Sequence, residues 1–299
     1  MFKKSLFGLL KKLKFLPPEI YLKIYYEYYT GKKLDLENPE EFNEKIQWLK
    51  LYYHPDILTQ LVDKFEVRKY VEEKIGKKYL NDLIAVYNKA SKVDFDKLPD
   101  QFVLKGAHGF HFNLIVKNKA QLNRTKARFL LEKWMHKNQY YRGGLEWAYK
   151  NVKPKLIAEK YLEEMDKESI SDYKFFCFNG KPKFVQIDMD RSSDLLRCYY
   201  DTSWQKLPVQ KGAVKMFENE LKKPANFEEM VFLSEKLADR FPFVRVDFYS
   251  IEGKTIFGEM TFYPSDGRTA FKPGKYNKIF GEYIALPKLP KGKKEIKAI

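Results

Sequence analysis

The chain has 299 residues, 44% hydrophobic and 16% aromatic, which is enough apolar surface for a sizeable core and excludes disorder over most of its length. A net charge of +16 implies anionic ligands or partners, while two cysteines, Cys177 and Cys198, exclude a disulfide framework and read as buried thiols of a reducing, cytoplasmic compartment. No apolar run approaches the roughly 18–20 residues of a membrane-spanning helix.

At the start, Phe2, Leu6, Leu9, Leu10 and Leu13 recur at helical spacing with Lys3, Lys4, Lys11, Lys12 and Lys14 mostly on the other faces, until Pro17-Pro18 stops the helix. Lysines interrupting the apolar patch, and no small-residue cleavage site, argue against a signal peptide. The segment either lies on an anionic membrane surface or docks on the main domain. A tyrosine-rich helix follows, then a turn at Gly31-Lys32-Lys33 and a helix expected over Phe42–Tyr53, capped by Asn38 or the turn before it. Asp63-Lys64 opens a further helix, a dipeptide that alone says no more than a solvated helix face.

Gln101–Val116 reads as a strand ending in Lys105, a turn through Gly106 and Gly109, and a return strand. A lysine that closes an apolar strand and is followed by glycine has little structural reason to be there. His108 and His111 flank Gly109 without a cysteine partner or zinc spacing, which favours loop packing over metal ligation. Leu122–Asn138 is helical, with Ala127, Leu130, Leu131 and Trp134 on one face. Tyr140–Asn151 is a loop in which Arg142, Glu146 and Trp147 are candidate ligand contacts. A strand then ends in Glu159-Lys160-Tyr161-Leu162, an acidic loop follows, and Asp172-Tyr173-Lys174 opens the next strand. Asp188 and Asp190, at strand period and followed by Arg191, face a substrate or form a salt bridge. Phe227–Arg240 is amphipathic, with Met230, Leu233 and Leu237 inward, and leads into Phe241–Pro264.

That last stretch reads as a hairpin: Val244, Val246 and Phe248 alternate into a turn at Ile251–Lys254, and Ile256 and Phe257 lead out. Asp247 and Glu259 fall on opposite strands, where a hairpin can set them side by side, and Arg245 shares the face of Asp247 by the strand period of two. Two carboxylates and a guanidinium suit a place where Mg²⁺ meets phosphate oxygens. A structural salt bridge is the other reading. The polar loop Pro264–Pro273, with Gly267 and Arg268, and a basic tail read as mobile complete the chain.

The order of these parts over roughly residues 36–280 resembles the ATP-grasp superfamily, and most of all its TupA-like branch, found with teichuronopeptide and capsular polysaccharide biosynthesis; Asn38–Lys45 resembles that branch's entry segment. The resemblance implies an α+β fold, a small α/β lid over a mixed-sheet core. Its divisions are a basic helical segment at 1–35, the ATP-grasp domain at 36–285 with the lid at about 100–158 and the core at about 159–285, and a basic tail at 286–299. It implies that Lys64 and Lys105 hold the α and β phosphates of ATP, that Gly106–Asn113, including His108 and Gly109, forms the lid loop over the phosphates, and that Glu159, Lys160 and Leu162 read adenine. Asp172 then binds ribose and Lys174 faces phosphate. Asp247 and Glu259 ligate Mg²⁺ and Arg245 stabilises the transferred group. The family often has Asn two residues after the metal-binding Glu. Thr261 stands there instead, a weaker ligand that leaves the coordination of a second Mg²⁺ open.

The implied activity is an ATP- and Mg²⁺-dependent ligase that joins a uronic-acid-type carboxylate to an amine or amino acid through an acyl phosphate. The acceptor is a glycan or sugar, lipid-linked if the basic start brings the enzyme to the inner face of a membrane. A kinase of a sugar hydroxyl shares the same ATP site. A glycosyltransferase has one formal motif, Asp188-Met189-Asp190, without a Rossmann glycine fingerprint. Nucleic-acid binding is disfavoured because no recognition motif accompanies the charge, and a pure binding module has no need of Lys64, Lys105, Arg245, Asp247 and Glu259 together.

Overall fold

The structure is a computed structural model that describes residues 9–10, 12–163, 171–189 and 195–298. Helix α1 (Pro18–Thr30) starts with proline in its first turn and stops at Gly31, whose φ of 72° is left-handed. Its Tyr21, Leu22, Tyr25 and Tyr26 belong to the main hydrophobic core, so the expected boundary at residue 35 cuts through packed structure. Helix α2 (Phe42–Tyr52) is capped by the Glu44 carboxylate, which accepts from the Glu41 N–H at 2.9 Å, and Asn38 has no such part. After α3 (Ile57–Val62), Asp63 Oδ1 accepts from the N–H groups of Phe65 and Glu66 and starts α4 (Val67–Lys74), as the sequence suggests.

The lid is a four-stranded antiparallel sheet built from β1 (Leu83–Tyr87), β2 (Phe102–Gly106), β3 (Asn113–Val116) and β4 (Leu156–Lys160), in the order β1-β4-β2-β3. Strand β1 lies upstream of the expected lid boundary at residue 100. Helix α5 (Arg124–Met135) turns Ala127, Leu131 and Trp134 onto this sheet, and Phe95, Phe102, Leu104 and Phe112 complete a hydrophobic cluster distinct from that of the core. A short helix, α6 (Gln139–Arg142), stands where a loop is expected.

The core sheet has six strands in the order β11-β10-β5-β6-β7-β9. They are β5 (Asp172–Phe178), β6 (Lys181–Met189), β7 (Leu196–Asp201), β9 (Lys215–Met216), β10 (Phe243–Ile251) and β11 (Lys254–Thr261), and β7 and β9 run parallel while the other pairs are antiparallel. Beside it, β8 (Gln210–Lys211) pairs with β12 (Phe271–Lys272). Helix α7 (Phe227–Ala238) covers one face, with Phe227 against Phe175. The other face packs Phe176, Phe178, Phe184 and Phe243 against Phe42 of α2 and Phe280 of α8 (Lys275–Glu282). Each such buried phenylalanine contributes about 1.5–3 kcal/mol.

Chemistry begins where that aromatic face ends. Continuing along the same strands at period two, Phe178 and Phe176 give way to Lys174 and Asp172 on β5, Phe243 to Arg245 and Asp247 on β10, and Phe184 to Gln186 and Asp188 on β6. The hairpin turn is Glu252-Gly253, both at positive φ, as a two-residue connection requires. The register slips by one between Asp247 and Phe248, so that Glu259, and not Gly258, lies opposite Asp247. This bulge turns Glu259 and Thr261 toward the charged face, and a Cβ on Gly258 would meet the Asp247 carbonyl at 3.1 Å.

The tail is tied down, contrary to the mobility expected of it. Buried Ile296 accepts from the His54 N–H and donates its own N–H to the Tyr52 carbonyl, both at 2.7 Å. Cys177 and Cys198 are buried and unbonded, and burial pushes the Cys198 thiol up to about 12. Among the described residues no helix is long and apolar enough to cross a membrane.

Candidate active site

Lid and core sheet enclose a cavity of about 1190 Å³ whose wall carries more basic than acidic side chains. Arg245 organises its floor. Its Nε donates to Asp247 Oδ1 at 2.7 Å and its Nη2 to Asp247 Oδ2 at 2.6 Å, a bidentate pair, and Nη2 reaches Glu259 Oε1 at 3.2 Å and Thr261 Oγ1 at 3.1 Å. Lys174 pairs with Asp172 and lies 3.6 Å from both Asp188 and Asp247. Arg197 holds Asp188 at 2.6 Å, and Gln186 donates to the same carboxylate. Burial pushes Asp247 up to about 6 against the pull of Arg245 and Lys174. At Glu259 burial acts in the same upward sense, but Lys64, then Arg245 and Lys174, outweigh it and hold the carboxyl below its ordinary range.

The roof comes from the lid. Lys64 donates to the Gly109 carbonyl at 3.0 Å and stands 3.2 Å from Glu259, joining the lid loop to the hairpin. Lys105 donates to Glu159 at 2.7 Å, and Arg68 holds the same carboxylate at 3.3 Å. Gly106 and Gly109 are needed because Phe112 lies across them: a Cβ would meet its side chain at 2.9 and 2.8 Å respectively. His108 gives its side chain to the lid core, with Nε2 2.9 Å from the Trp134 carbonyl, and is not among the residues that line the cavity.

Glu159 and Leu162 line a recess of about 20 Å³ with Lys64, Arg68, Lys105 and Phe257, room for about one water by that measure. The Lys160 carbonyl accepts from Asn81 and its N–H donates to Asp82. Asp172 lines the large cavity beside Lys174, Gln186 and Asp188, and its cross-strand partner Tyr249 lines, with Lys64, Lys105 and Gly258, both that cavity and the recess. Asp190 and Arg191 fall outside the described residues.

The opposite end of the cavity carries Arg142, Glu146 and Arg268, which the sequence already singles out, and Tyr25 and Asp266, of which sequence spacing gave no sign. Lys50 of α2 pairs with Asp266, which also accepts from Tyr25 of α1, across more than two hundred residues of chain. Arg268 lies over the Tyr29 ring at 4.4 Å. Glu146 is buried against this group, and burial first, then the charge of Asp266, raise its carboxyl well above the usual range. Arg142 donates to the Phe110 carbonyl, whereas Trp147 stacks on His54 away from the cavity. Lys14 donates to Tyr21 and to the Gly143 carbonyl, so this part of the basic start is docked at the cavity rim.

Among the described residues no three His, Cys, Asp or Glu side chains gather into a metal cage. Mg²⁺ asks for less: it is held by one or two carboxylates, with phosphate oxygens and water completing the shell. Asp247 and Glu259 meet that requirement as hard oxygen donors directly opposite each other, and Glu259, with 32% of its side chain exposed, has the opener coordination side. Thr261 faces the same way, but its oxygen already accepts from Arg245.

The chain matches the family model described as TupA-like ATPgrasp over residues 44–285. No curated protein sequence matches it. Similar solved structures include D-alanine–D-alanine ligase from Bacillus anthracis complexed with ATP (17% identity, 69% of this chain and 55% of that one, TM-score 0.40) and the same enzyme from Helicobacter pylori (14%, 84% and 68%, TM-score 0.45). Phosphoribosylamine–glycine ligase from Thermotoga maritima is a third (13%, 69% and 48%, TM-score 0.41). The chain thus spans little more than half the length of the first of these. The family match extends from α2 to the end of the core sheet and takes in each of the charged residues on the cavity floor, and by it the chain belongs to the TupA-like ATP-grasp family.

Proposed function

We propose that the protein is an ATP- and Mg²⁺-dependent carboxylate–amine ligase of cell-surface polysaccharide assembly. The observation that carries the reading is the convergence of Lys64 and Lys105 from the roof and Arg245, Asp247 and Glu259 from the floor on one cavity. Bound MgATP would supply an activated phosphoryl group and the charge to screen it. The chain's own residues do the rest. Lys64 and Lys105 hold phosphate oxygens, and the loop Gly106–Asn113 covers them. Glu259 and Asp247 would hold the metal, with Thr261 at the margin. Arg245, locked by two carboxylates, presents a fixed cation where charge grows during transfer. Asp172 serves to hold Lys174 toward that charge, and Glu159, Lys160 and Leu162 receive the base once their recess widens.

The end of the cavity with Tyr29, Arg142 and Arg268 would take the acceptor, a sugar acid by its mixture of aromatic and basic groups. Asp188 is bound by Arg197, Gln186 and Lys174, and Asp190, the other carboxylate of the glycosyltransferase motif, falls outside the described residues. The test is ADP release from MgATP with a uronic acid and an amine, followed by mass spectrometry of the acceptor. An amide supports the ligase and a phosphorylated hydroxyl makes it a kinase. Transfer from a sugar nucleotide without ATP use would overturn both. Peripheral membrane contact through residues 1–18 is tested by replacing Lys3, Lys4, Lys11 and Lys12 with glutamine. Unchanged co-sedimentation with anionic vesicles would remove that part of the proposal.

A further inference from the structure

Lys211 is a buried lysine on the wall of the same cavity, at the border between the aromatic and the charged halves of the sheet face. Its ammonium-bearing end sits over three phenylalanine rings: Phe271 at 4.9 Å, Phe42 at 5.6 Å and Phe176 at 5.7 Å. The other cations of the floor each have a carboxylate, Arg245 with Asp247, Arg197 with Asp188 and Lys174 with Asp172, and Lys64 of the roof pairs with Glu259. Among the described residues Lys211 has no carboxylate within 4 Å. The elements packed around it supply rings from α2, β5 and β12, while β10 and β7 supply the charges of Arg245 and Arg197. Burial, followed by the repulsion of Arg245 and Arg197, moves its amine well below the ordinary lysine range. The rings would ease the cation only in part. A buried lysine without a carboxylate, on the cavity wall beside the arginine of a transfer site, is placed to accept a proton.

We propose that Lys211 is the general base that takes a proton from the acceptor amine as it attacks the activated carboxyl group. The step rests on the ligase reading above. An amine arrives as an ammonium ion with three protons and cannot attack until one is removed. Lys211 Nζ accepts that proton, and the freed nitrogen lone pair forms the C–N bond to the acyl carbon. The C–O bond to phosphate then breaks, with its electron pair leaving on the phosphate oxygen. A second proton departs with the phosphate as hydrogen phosphate and the third stays on the amide nitrogen. Lys211 returns its proton to water. No oxidant or further reactant enters.

The test separates the base from the ligase reading. Full-length wild-type protein and Lys211→Met are assayed with MgATP and a uronic acid, using either glycine or hydroxylamine as the amine. Hydroxylamine is already uncharged at neutral pH and needs no base. The expected result is that Lys211→Met loses at least about a hundredfold in amide formation with glycine, keeps hydroxamate formation within about threefold, and recovers glycine activity as pH is raised toward that of the free amine. Equal loss with both amines would overturn the base assignment, and absence of hydroxamate in the wild type would instead overturn the ligase reading. A second measurement needs no acceptor: treatment with pyridoxal 5′-phosphate and borohydride, with peptide mapping across pH 6–9. Labelling of Lys211 at pH 7 ahead of the exposed lysines is expected of an uncharged amine. Labelling that rises only above pH 9 would show an ordinary ammonium and overturn the proposal.

Discussion

Removing Arg245 gives the sharpest structural test of the floor. Both members of its pair with Asp247 are largely out of water, with 12% and 4% of their side chains exposed. Arg245→Met keeps most of the volume and leaves Asp247 with Lys174 at 3.6 Å as its nearest cation. Breaking a buried pair from one side costs about 3–5 kcal/mol. Asp247→Asn is expected to cost about 2–3 kcal/mol, since Arg245 keeps Glu259 as a partner. The double variant should cost at least about 2 kcal/mol less than the sum, because it leaves no buried charge alone. The deficit of Arg245→Met also has a direction in pH. Asp247 already titrates at about 6, above its unfolded value, and loses its main cation in the variant, so its folded pKa climbs further. A carboxyl raised on folding binds its proton more tightly in the folded state, so acid favours that state and the deficit is smaller at pH 5 than at pH 8. Urea unfolding followed by tryptophan fluorescence, with m checked for constancy, reads all three variants. A cost below about 1 kcal/mol for Arg245→Met, additive with Asp247→Asn, would refute the reasoning and mean that water already fills the floor.

Glu259→Gln reads the opposite case. Its carboxyl is held below the ordinary range in the fold, so it contributes stability above the unfolded pKa of about 4.3 that is lost as pH falls toward the folded value. The wild type should therefore lose urea resistance below about pH 4.5 more steeply than Glu259→Gln, and parallel profiles would contradict the Lys64 and Arg245 contacts. Lys105→Met should raise the dissociation constant of MgATP by about 10- to 100-fold, the worth of a charge-assisted hydrogen bond, without moving the urea midpoint appreciably, by calorimetry and unfolding together. Gly180→Ala, in the turn between β5 and β6, should cost about 3 kcal/mol or more, because φ is 79° and the new Cβ would stand 1.8 Å from the Asp239 carbonyl; a change in melting temperature of under about 3 °C would show that the turn can move.

The sequence made the hairpin legible for a partly hidden reason. Counting twelve residues from Asp247 to Glu259 gives the right pair only because Gly258 bulges; a regular ladder from the Glu252-Gly253 turn would have set Gly258 opposite Asp247. The alternation of β10, the lysine closing β2 and the inward faces of α5 and α7 are local signals, and the structure contains them. Lys211 and the Lys50–Asp266–Tyr25 group could not be read in the same way. They come from short strands and loops with no period, and their partners are brought by chain closure from far along the sequence. The directions of the Asp172 and His108 side chains were not legible for a third reason: position in a motif does not say which way a side chain turns, and packing beside Lys174 and against Trp134 sets both.

The central claim is that the cavity holds a nucleotide through a metal, and calorimetric titration of ATP into the full-length protein, with Mg²⁺ and with EDTA, tests it directly. The account predicts micromolar binding that requires Mg²⁺ and weakens at least about tenfold in Glu259→Gln, which removes a metal-facing charge at constant volume. Binding unchanged by EDTA and by that variant, or no heat with ATP at all, would contradict it.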